Sequence, residues 1–548
     1  LLWASNRSAI IEYIMNQKQT TSLLLLYLVY YPIYEVVAVD CKQGHHGPSP
    51  TPPTRPLPRV RPPAAERTFT SPAIEAKLAE LMARTWINPE LATMLWNCLP
   101  NTLDTTVWQA PNATNNLSFI STGDISAMWL RDSQNQVIPY MRFAKAEPNG
   151  IGSLLRGLIL RHVDSVLLDP FANSFDYFTT KADCLECNSG GWMKDNTTFH
   201  DVKTGRRKNA MVVGIHQRKW EMDSLCSMLK IGRMYHDATE DTTPFSNARW
   251  KDAVRLVIAT LRTMQTPLGP SNFTDTNYTF QELTQEPKDT SPHGIGRNHR
   301  WTGMVRTSFL PSDDSVRFPY HIPGNAFAVV ELRGVVPLLR KLDEHALADD
   351  AKALAKEIDD GIHRFGIVRH GLTGDMIYAM EVDGFGNFFF ADDANVPSLL
   401  ALPFFGYVDA EDPLYQRTRA LVLSNATNPY YFGCGGEGSD VSGCAVLGGT
   451  GSEDASGNAG LGHVWPLSLT TRLLTVAGNS SEADAERKAI LHALVESTGG
   501  TGLMHESYWY TDSSSFTRFW FAMANSYVGE ALLHLAETRP DLLFVAEY

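Results

Sequence analysis

The chain of 548 residues has little of what several protein classes need. Its 47 Lys and Arg are outnumbered by 60 Asp and Glu, and no run of five basic residues occurs, which argues against a nucleic-acid partner or an anionic membrane surface. Seven cysteines are few for a disulfide scaffold, and their odd number leaves at least one thiol outside any pair within the chain. A hydrophobic content of 43% indicates instead that a large apolar core holds the fold.

The motifs of several enzyme classes are also missing. No Gly-x-Ser-x-Gly elbow stands between a strand and a helix, and neither a Gly-x-x-x-x-Gly-Lys-Ser/Thr loop nor His-Glu-x-x-His occurs. Cys184 and Cys187 lack the second pair or the histidines of a zinc site, so a loop disulfide is expected there, and Cys434 with Cys444 is another candidate pair. Cys226 is predicted to be a buried free thiol on an apolar helix face. The sequence therefore predicts neither a metal nor a cofactor.

The first 70 residues are typical of targeting and linking segments. A mostly apolar run at 21–39 is interrupted by Pro32 and Glu35, and it is too short and broken to indicate a membrane span by itself. Residues 1–40 are therefore expected to be a signal peptide or a signal-anchor. Eight prolines between positions 44 and 65 predict a stiff, extended linker over 41–70, which leaves 71–548 for the folded domain.

Seven N-x-Ser/Thr triplets support a secretory route for a chain that carries such a leader. They begin at Asn112, Asn116, Asn196, Asn272, Asn277, Asn425 and Asn479. The expected location is the secretory pathway, with the protein either secreted or held in the ER or Golgi by a type II anchor. Beyond that anchor we expect no stable membrane partner.

Apolar residues recur at helical spacing through most of 71–548. Ser71-Pro72 and Asn88-Pro89 are start signals, each with a capping residue before a proline. The further helices are predicted at 124–145, 151–169, 217–236, 245–265, 324–342, 346–366, 394–404, 413–424, 463–477, 482–498 and 516–537. About twelve helices without alternating strands predict an all-α fold, and six helical hairpins closed into a ring would form an (α/α)6 toroid with long functional loops.

The stretch 122–133 carries two acids, an arginine and a tryptophan. Asp124 is predicted to cap the helix that follows, since its carboxylate can accept from free N–H groups. Arg131 and Asp132 beside the indole of Trp129 are the combination that a sugar site needs, because hydroxyls require fixed donors and acceptors and the ring requires a flat apolar face. A capped core helix with a structural ion pair would have the same sequence.

Four further loops combine carboxylates with aromatic residues beside a helix end. Asp313 and Asp314 are adjacent, and in an extended segment one side chain can enter a pocket while the other caps or pairs. The second stretch contains Glu221 and Asp223, whose side chains could not share a face if the stretch were helical. The third and fourth loops lie at 381–395 and 502–508. Each acid alone fits a surface or capping role, but together the loops favour one pocket, and two carboxyl groups are the requirement of glycoside hydrolysis.

At these residues the sequence resembles glycoside hydrolase family 125. The motifs that carry the resemblance are Thr122-Gly-Asp-Ile-Ser-Ala-Met-Trp-Leu-Arg-Asp-Ser133, Lys219-Trp-Glu-Met-Asp-Ser-Leu-Cys226, Pro311-Ser-Asp-Asp314, Ile322-Pro-Gly-Asn325, Asp392-Asp-Ala-Asn-Val-Pro-Ser398, Asn428-Pro-Tyr-Tyr431, Val464-Trp-Pro-Leu-Ser468 and Met504-His-Glu-Ser507. They occur in the family's order from about residue 72 to the end. The resemblance implies an (α/α)6 toroid and an exo-acting α-1,6-mannosidase that inverts the anomeric centre without a metal.

The resemblance also implies roles for single residues. The general acid is expected to be Asp313 or Asp314, which the sequence does not rank, and the general base is expected to be Glu506. The substrate is expected to be an α-mannoside oligosaccharide or an N-glycan. Substrate contacts are expected from Asp124, Trp129, Arg131, Asp132, Glu221, Asp223, Asn325, Asn395 and His505.

One position departs from the family. Members commonly show Gly/Ser-Pro-His before the Trp-Pro segment, whereas this chain reads Ser456-Gly-Asn458, which would alter linkage preference or weaken activity if that histidine contacts substrate. Two alternatives also stay open. One is an exo-α-glucosidase on the same fold, and the other is a non-catalytic glycan-binding protein of the secretory pathway.

Overall fold

The computed structural model describes residues 52–177, 198–200, 207–209, 214–267, 278, 280, 292, 296–433, 444–452 and 461–546. The chain divides into two compact units, Leu1–Gln43 and Gly44–Tyr548, and every described residue belongs to the second. Several predictions lie outside the described residues: the signal or anchor segment, the Cys184–Cys187 pair, Cys434, Asn458, and the sequons at Asn196, Asn272 and Asn277.

The described residues form fourteen α-helices, and most of the predicted helices are confirmed. In chain order they are α1 Pro72–Met82, α2 Pro89–Cys98, α3 Asn101–Thr105, α4 Leu130–Gln136, α5 Ile151–Leu168, α6 Met222–Thr239, α7 Ala248–Gln265, α8 Ile322–Lys341, α9 His345–Gly361, α10 Pro413–Val422, α11 Cys444–Leu447, α12 Pro466–Leu474, α13 Ser481–Ser497 and α14 Ala522–Thr538.

In the part of the chain that the structure describes, short strands connect the helices and form seven small sheets whose strand pairs are all antiparallel. They are β1 Val107–Gln109, β2 Phe119–Ile120, β3 Met128–Trp129, β4 Ser174–Phe175, β5 Thr198–His200, β6 Arg207–Asn209, β7 Ile215–Gln217, β8 Tyr320–His321, β9 Ile367–Arg369, β10 Met376–Tyr378, β11 Glu381–Val382, β12 Phe388–Phe389, β13 Tyr431–Phe432, β14 Gly449–Thr450, β15 His463–Val464, β16 Tyr508–Trp509 and β17 Asp512–Phe516.

The helices close into an (α/α)6 toroid, as predicted. On the inner side α4 packs on α6 and α6 on α8, while α12 packs on α14, which packs in turn on α4. An outer layer covers them, with α2 on α14, α5 on α6, α9 on α8 and α13 on α12. Within the described residues, α8 is the one helix with the length and composition of a membrane span, but 72% of its apolar window is buried in the core.

Two predicted helix starts are confirmed by their caps. The Oγ of Ser71 accepts from the Ile74 N–H at 3.2 Å, and Oδ1 of Asn88 accepts from the Glu90 N–H at 2.9 Å, so each side chain satisfies a donor that its helix leaves free. Cys226 is buried and free, also as predicted.

Two predicted helices differ most from the structure, and those predicted to begin at 217 and 516 begin only at Met222 and Ala522. Residues 394–404 form turns, because Pro397 and Pro403 lack the N–H groups that a continuous helix requires. The segment 124–129 is not helical either: α4 begins at Leu130, directly after β3. The prediction that Asp124 caps this helix is therefore wrong.

The stretch 52–63, which falls in the predicted linker, packs on the toroid, and we call it the N-terminal strap. Thr54 N–H donates to the Gly500 carbonyl at 3.0 Å, and Val60 N–H donates to Oδ1 of Asn97 at 3.0 Å. Arg61 is buried and its Nε contacts Oδ2 of buried Asp104 at 2.7 Å. The strap is extended, as its prolines predict, but it is part of the folded unit rather than a free spacer.

Arg61→Met is expected to lower the free energy of unfolding by about 3 kcal/mol, because it leaves the Asp104 carboxylate buried without its closest cation. Arg55→Met is the matched control: this strap arginine is 40% exposed in its ion pairs with Glu90 and Glu496, so a change below about 1 kcal/mol is expected. Urea unfolding of both variants measures the difference. If Arg61→Met and Arg55→Met unfold at the same urea concentration, the contacts of Arg61 in the strap do not stabilise the toroid more than those of Arg55.

The four predicted glycosylation sites within the described residues are all exposed. They are Asn112, Asn116, Asn425 and Asn479. Exposure is what a glycosylated asparagine requires, but the secretory location itself stays a prediction.

Candidate active site

Arg131 lies at the centre of a group of carboxylates. It follows Leu130 at the start of α4, and only 3% of it is exposed. Its Nη1 donates to Oε2 of Glu221 at 2.6 Å and to Oδ2 of Asp223 at 3.3 Å, while its Nε lies 3.5 Å from Oδ2 of Asp132. The structure therefore brings together four residues that the sequence placed in two separate motifs.

Glu221 reaches this arginine because it stands just before α6 rather than within it. Its backbone is extended, whereas Asp223 occupies the first turn of the helix, so the expectation that the two side chains diverge does not hold. Nδ2 of Asn173 also donates to Oε1 of Glu221, at 2.9 Å. Both carboxyl oxygens of Glu221 are thus held by hydrogen bonds.

The carboxyl groups around Arg131 retain protons more strongly than free carboxyls do. Burial raises the pKa of Asp132 to about 6, although Arg131 opposes the shift. Burial also raises the pKa of Glu221 well above its usual value and raises the pKa of Asp223, again against the charge of Arg131. Burial disfavours the charged form of each of these carboxyls, and the single cation of Arg131 offsets only part of that effect.

Asp313 and Asp314 face different surroundings. The backbone of Asp313 adopts φ = +74°, which is uncommon for a residue with a side chain. Its carboxyl hydrogen-bonds the side chain of Glu221 and lies in the field of Arg131. Asp314 is buried and instead lines a small cavity with Glu381. The left-handed backbone at Asp313 is what separates the two adjacent side chains.

Glu221 and Asp313 interact through their carboxyl groups, and their pKa values shift in opposite directions. Burial would raise the pKa of Asp313, but the charge of Lys219, the hydrogen bond from Glu221 and the charge of Arg131 together lower it. Burial meanwhile raises the pKa of Glu221. The surroundings therefore favour the ionised form at Asp313 and the protonated form at Glu221.

The acidic loop that includes Asn395 holds the Asp313 loop in place. Nδ2 of Asn395 donates to the Pro311 carbonyl at 2.9 Å, and its Oδ1 accepts from the Val396 N–H at 2.8 Å. Oδ2 of Asp393 accepts from Oγ of Ser312 at 2.5 Å. The amide of Asn395 thus holds two backbone groups of this region, and its predicted substrate contact stays a prediction.

Glu381 holds the far side of the same loop. Its Oε2 accepts from the backbone N–H groups of Arg317 at 2.9 Å and Phe318 at 2.8 Å. Burial raises the pKa of Glu381 to about 8. Sequence reasoning had marked this acidic stretch but had not assigned Glu381 a role.

The side chain of Asn325 also hydrogen-bonds backbone groups, and its predicted substrate contact stays a prediction. Its Oδ1 accepts from the Val305 N–H at 2.8 Å, and its Nδ2 donates to the Val305 and His321 carbonyls, each at 2.9 Å. Trp129 is buried, and its ring contacts the edge of the His216 ring with centroids 5.3 Å apart. The indole packs in the interior beside the Arg131 group.

His505 is fully buried and fixes the segment after it. Its Nδ1 lies 3.0 Å from the Arg518 carbonyl, its Nε2 lies 3.0 Å from the Thr498 carbonyl, and its ring stacks on Phe516 at 3.6 Å between centroids. Both ring nitrogens thus lie beside backbone carbonyls, and the substrate contact predicted for His505 stays a prediction.

Glu506 lies in the loop between α13 and β16 and is mostly buried. Its Oε2 accepts from Nε of Arg518 at 3.1 Å, and Nη1 of Arg518 donates to Oδ1 of Asp124 at 2.6 Å. Burial raises the pKa of Glu506, and the charge of Arg518 opposes that shift. Sequence reasoning missed Arg518; the available signal was an arginine within an aromatic stretch, Phe516-Thr-Arg-Phe-Trp-Phe521.

Asp132 connects the two halves of the site. The charges of Asp313 and Glu506 both raise its pKa, so the two carboxyls share one electrostatic environment around it. One half is the carboxyl pair of Asp313 and Glu221, and the other is the carboxyl of Glu506 beside Arg518. This is the equipment of general acid–base catalysis. Within the residues that the structure describes, no group of three or more His, Cys, Asp or Glu is arranged to hold a metal ion.

Comparison with known proteins agrees with this chemistry. Residues 88–533 match the family model of metal-independent alpha-mannosidase (GH125). The meiotically up-regulated gene 157 protein of Schizosaccharomyces pombe is 36% identical over 494 residues, which cover 89% of this chain and 90% of that protein.

A solved structure agrees as well. A Streptococcus pneumoniae protein, described as a member of a family of metal-independent alpha mannosidases in a non-productive complex with alpha-1,6-mannobiose, is 32% identical, with a TM-score of 0.72 over 86% of this chain and 100% of that one. With the toroid, the paired carboxyls and these matches in agreement, the chain belongs to the GH125 family of metal-independent α-mannosidases.

Proposed function

We propose that the protein is an exo-acting α-1,6-mannosidase that hydrolyses its substrate with inversion at the anomeric carbon. The observation that carries this proposal is the division of the site into a carboxyl pair, Asp313 with Glu221, and a separate carboxyl held by an arginine, Glu506 with Arg518. Inverting hydrolysis needs one carboxyl as the acid and another as the base. The streptococcal relative that binds α-1,6-mannobiose supports the choice of linkage.

Asp313 is the proposed general acid. It receives the proton that it shares with Glu221 and donates it to the glycosidic oxygen as the bond to the anomeric carbon breaks. The leaving sugar departs as an alcohol, so no charge is left on its oxygen. Glu221 then remains ionised beside Arg131, whose cation stabilises it.

Glu506 is the proposed general base. It accepts a proton from a water molecule as the water oxygen forms the new bond to the anomeric carbon from the face opposite the leaving group. The product is the free sugar with inverted configuration. Protons balance, because the site loses one from the Asp313 pair and gains one at Glu506.

The terminal mannose is proposed to bind at the Arg131 group. In the described part of the chain, Nε of Arg131 and Oδ2 of Asp132 are buried without a hydrogen-bond partner, and so is Oδ1 of Asp313. Buried polar atoms require partners, and sugar hydroxyls can supply both donors and acceptors to them. Asp223 is the remaining carboxylate within reach of the same arginine.

The test is incubation of the protein with α-1,6-mannobiose, with and without a chelator, while NMR follows released mannose and its first anomeric form. Initial β-mannose that is unaffected by chelator is expected. Initial α-mannose would contradict inversion. Release of glucose from α-glucosides, with no mannose released, would identify an exo-α-glucosidase, and binding of mannosides without hydrolysis would identify a glycan-binding protein.

A further inference from the structure

Arg518 joins the base to a residue from the other end of the chain. Its Nε contacts Oε2 of Glu506 at 3.1 Å and its Nη1 contacts Oδ1 of Asp124 at 2.6 Å. Arg518 and Glu506 are largely buried, whereas 43% of the Asp124 side chain is exposed. The fork of the guanidinium thus spans from the exposed carboxylate of Asp124 to the enclosed carboxylate of Glu506.

The backbone of Arg518 is fixed independently of these ion pairs. Nδ1 of His505 lies 3.0 Å from the Arg518 carbonyl, and the ring of His505 is itself stacked on Phe516. Two residues further on, the Trp520 ring lies under Gly123, where an added Cβ would meet it at 3.7 Å. The guanidinium therefore extends from an anchored segment.

The contact with Arg518 distinguishes the two oxygens of Glu506. Oε2 accepts the hydrogen bond from Arg518, whereas Oε1 accepts none from the residues that the structure describes. A base must present one oxygen to the attacking water in a fixed direction, since a misplaced catalytic group loses much of its effect. Arg518 occupies one oxygen and leaves the other for water.

We propose that Arg518 is the positioning residue of the base: it fixes Oε2 of Glu506 so that Oε1 holds the attacking water, and Asp124 in turn fixes Arg518. This inference rests on the proposed function of Glu506 as the base. It assigns Asp124 to the orientation of the base, rather than to the helix cap or the substrate contact that the sequence predicted.

The charges around Glu506 give the proposal a pH readout. Arg518 lowers the pKa of Glu506, while Asp124 and Asp313 raise it, and Asp132 lies in the same field. Removing the cation of Arg518 therefore raises the pKa of Glu506 and moves the acidic limb of kcat/KM to higher pH. Removing the charge of Asp124 instead lowers the pKa of Glu506. Any loss of kcat in that variant therefore results from lost orientation of Glu506.

The experiment compares Arg518→Gln, Arg518→Lys and Asp124→Asn on α-1,6-mannobiose. Arg518→Gln is expected to lower kcat about 100-fold and to move the acidic limb up by about one pH unit, with KM within about threefold. Arg518→Lys is expected to restore the position of the limb but not the full kcat, because an ammonium lacks the planar fork. Asp124→Asn is expected to lower kcat about tenfold without an upward shift of the limb.

Arg472→Gln is the matched control, because it removes another Arg–Glu hydrogen bond, from Arg472 Nε to Glu486 at 2.7 Å, outside the site. It is expected to keep wild-type kcat and pH profile. The proposal would be overturned if Arg518→Gln kept the kcat and the acidic limb of the wild-type protein. If Arg518→Gln does not fold, a wild-type kcat in Asp124→Asn would overturn it instead. Glu506→Gln separates the role of Arg518 from the role of Glu506. If Glu506→Gln is inactive while Arg518→Gln has normal activity, the positioning role of Arg518 fails and the assignment of Glu506 as the base stands.

Discussion

Glu506→Gln is expected to lower kcat on α-1,6-mannobiose about 1,000-fold. The amide has the shape of the carboxylate but cannot accept a proton from the attacking water. The side chain still fits beside Arg518, so the melting temperature is expected to stay close to that of the wild-type protein. Initial rates give kcat, and calorimetric titration with mannobiose measures binding, which we expect to persist.

The control for Glu506→Gln is Glu530→Gln. Glu530 is a mostly buried acid on α14, where burial raises its pKa to about 7 and Arg142 is its ion-pair partner. It lies outside the group around Arg131, so its loss tests whether any buried glutamate is needed. Wild-type turnover in Glu506→Gln would remove this residue from the mechanism.

Asp313→Asn is the second large effect, and its size depends on the leaving group. On α-1,6-mannobiose we expect kcat to fall about 1,000-fold, because the alkoxide of a sugar is a poor leaving group without a proton. On a dinitrophenyl α-mannoside, whose phenolate leaves without protonation, we expect a loss below about tenfold. The ratio of the two losses identifies the general acid, since a variant that only disturbs folding lowers both rates together.

Asp314→Asn is the matched variant for this test, since it makes the same change at the adjacent residue. Asp314 faces the cavity that Glu381 lines rather than the carboxyl of Glu221. We expect its kcat to fall about tenfold at most, and equally on both substrates. Leaving-group dependence in Asp314→Asn rather than in Asp313→Asn would transfer the acid role to Asp314.

Local signals account for most of what the sequence could predict. The caps at Ser71 and Asn88 act within three residues, so a sequence motif is enough to place the start of each helix. The prediction of a helix at 394–404 was wrong: the apolar residues have helical spacing, but Pro397 and Pro403 prevent a continuous helix. The toroid followed from the number of helices and the family resemblance together.

Distant contacts account for what the sequence could not predict. The proposal of Asp313 rather than Asp314 as the acid rests on their different surroundings and on the left-handed backbone of Asp313, which no local motif specifies. Asn325, Asn395 and His505 stand in family motifs, but only the structure identifies backbone groups as their partners. Arg518 escaped notice because its partner Asp124 is 394 residues away.

That same separation determines when, during synthesis, the site can be completed. At about 5–20 residues per second, Asp124 is synthesised about 20–80 s before Arg518. The Arg131 group can assemble earlier, because Asp223 lies 92 residues after Arg131. Glu506 and Arg518 leave the ribosome late, shortly before α14. A nascent chain that ends before them therefore lacks both the proposed base and the arginine that we propose positions it.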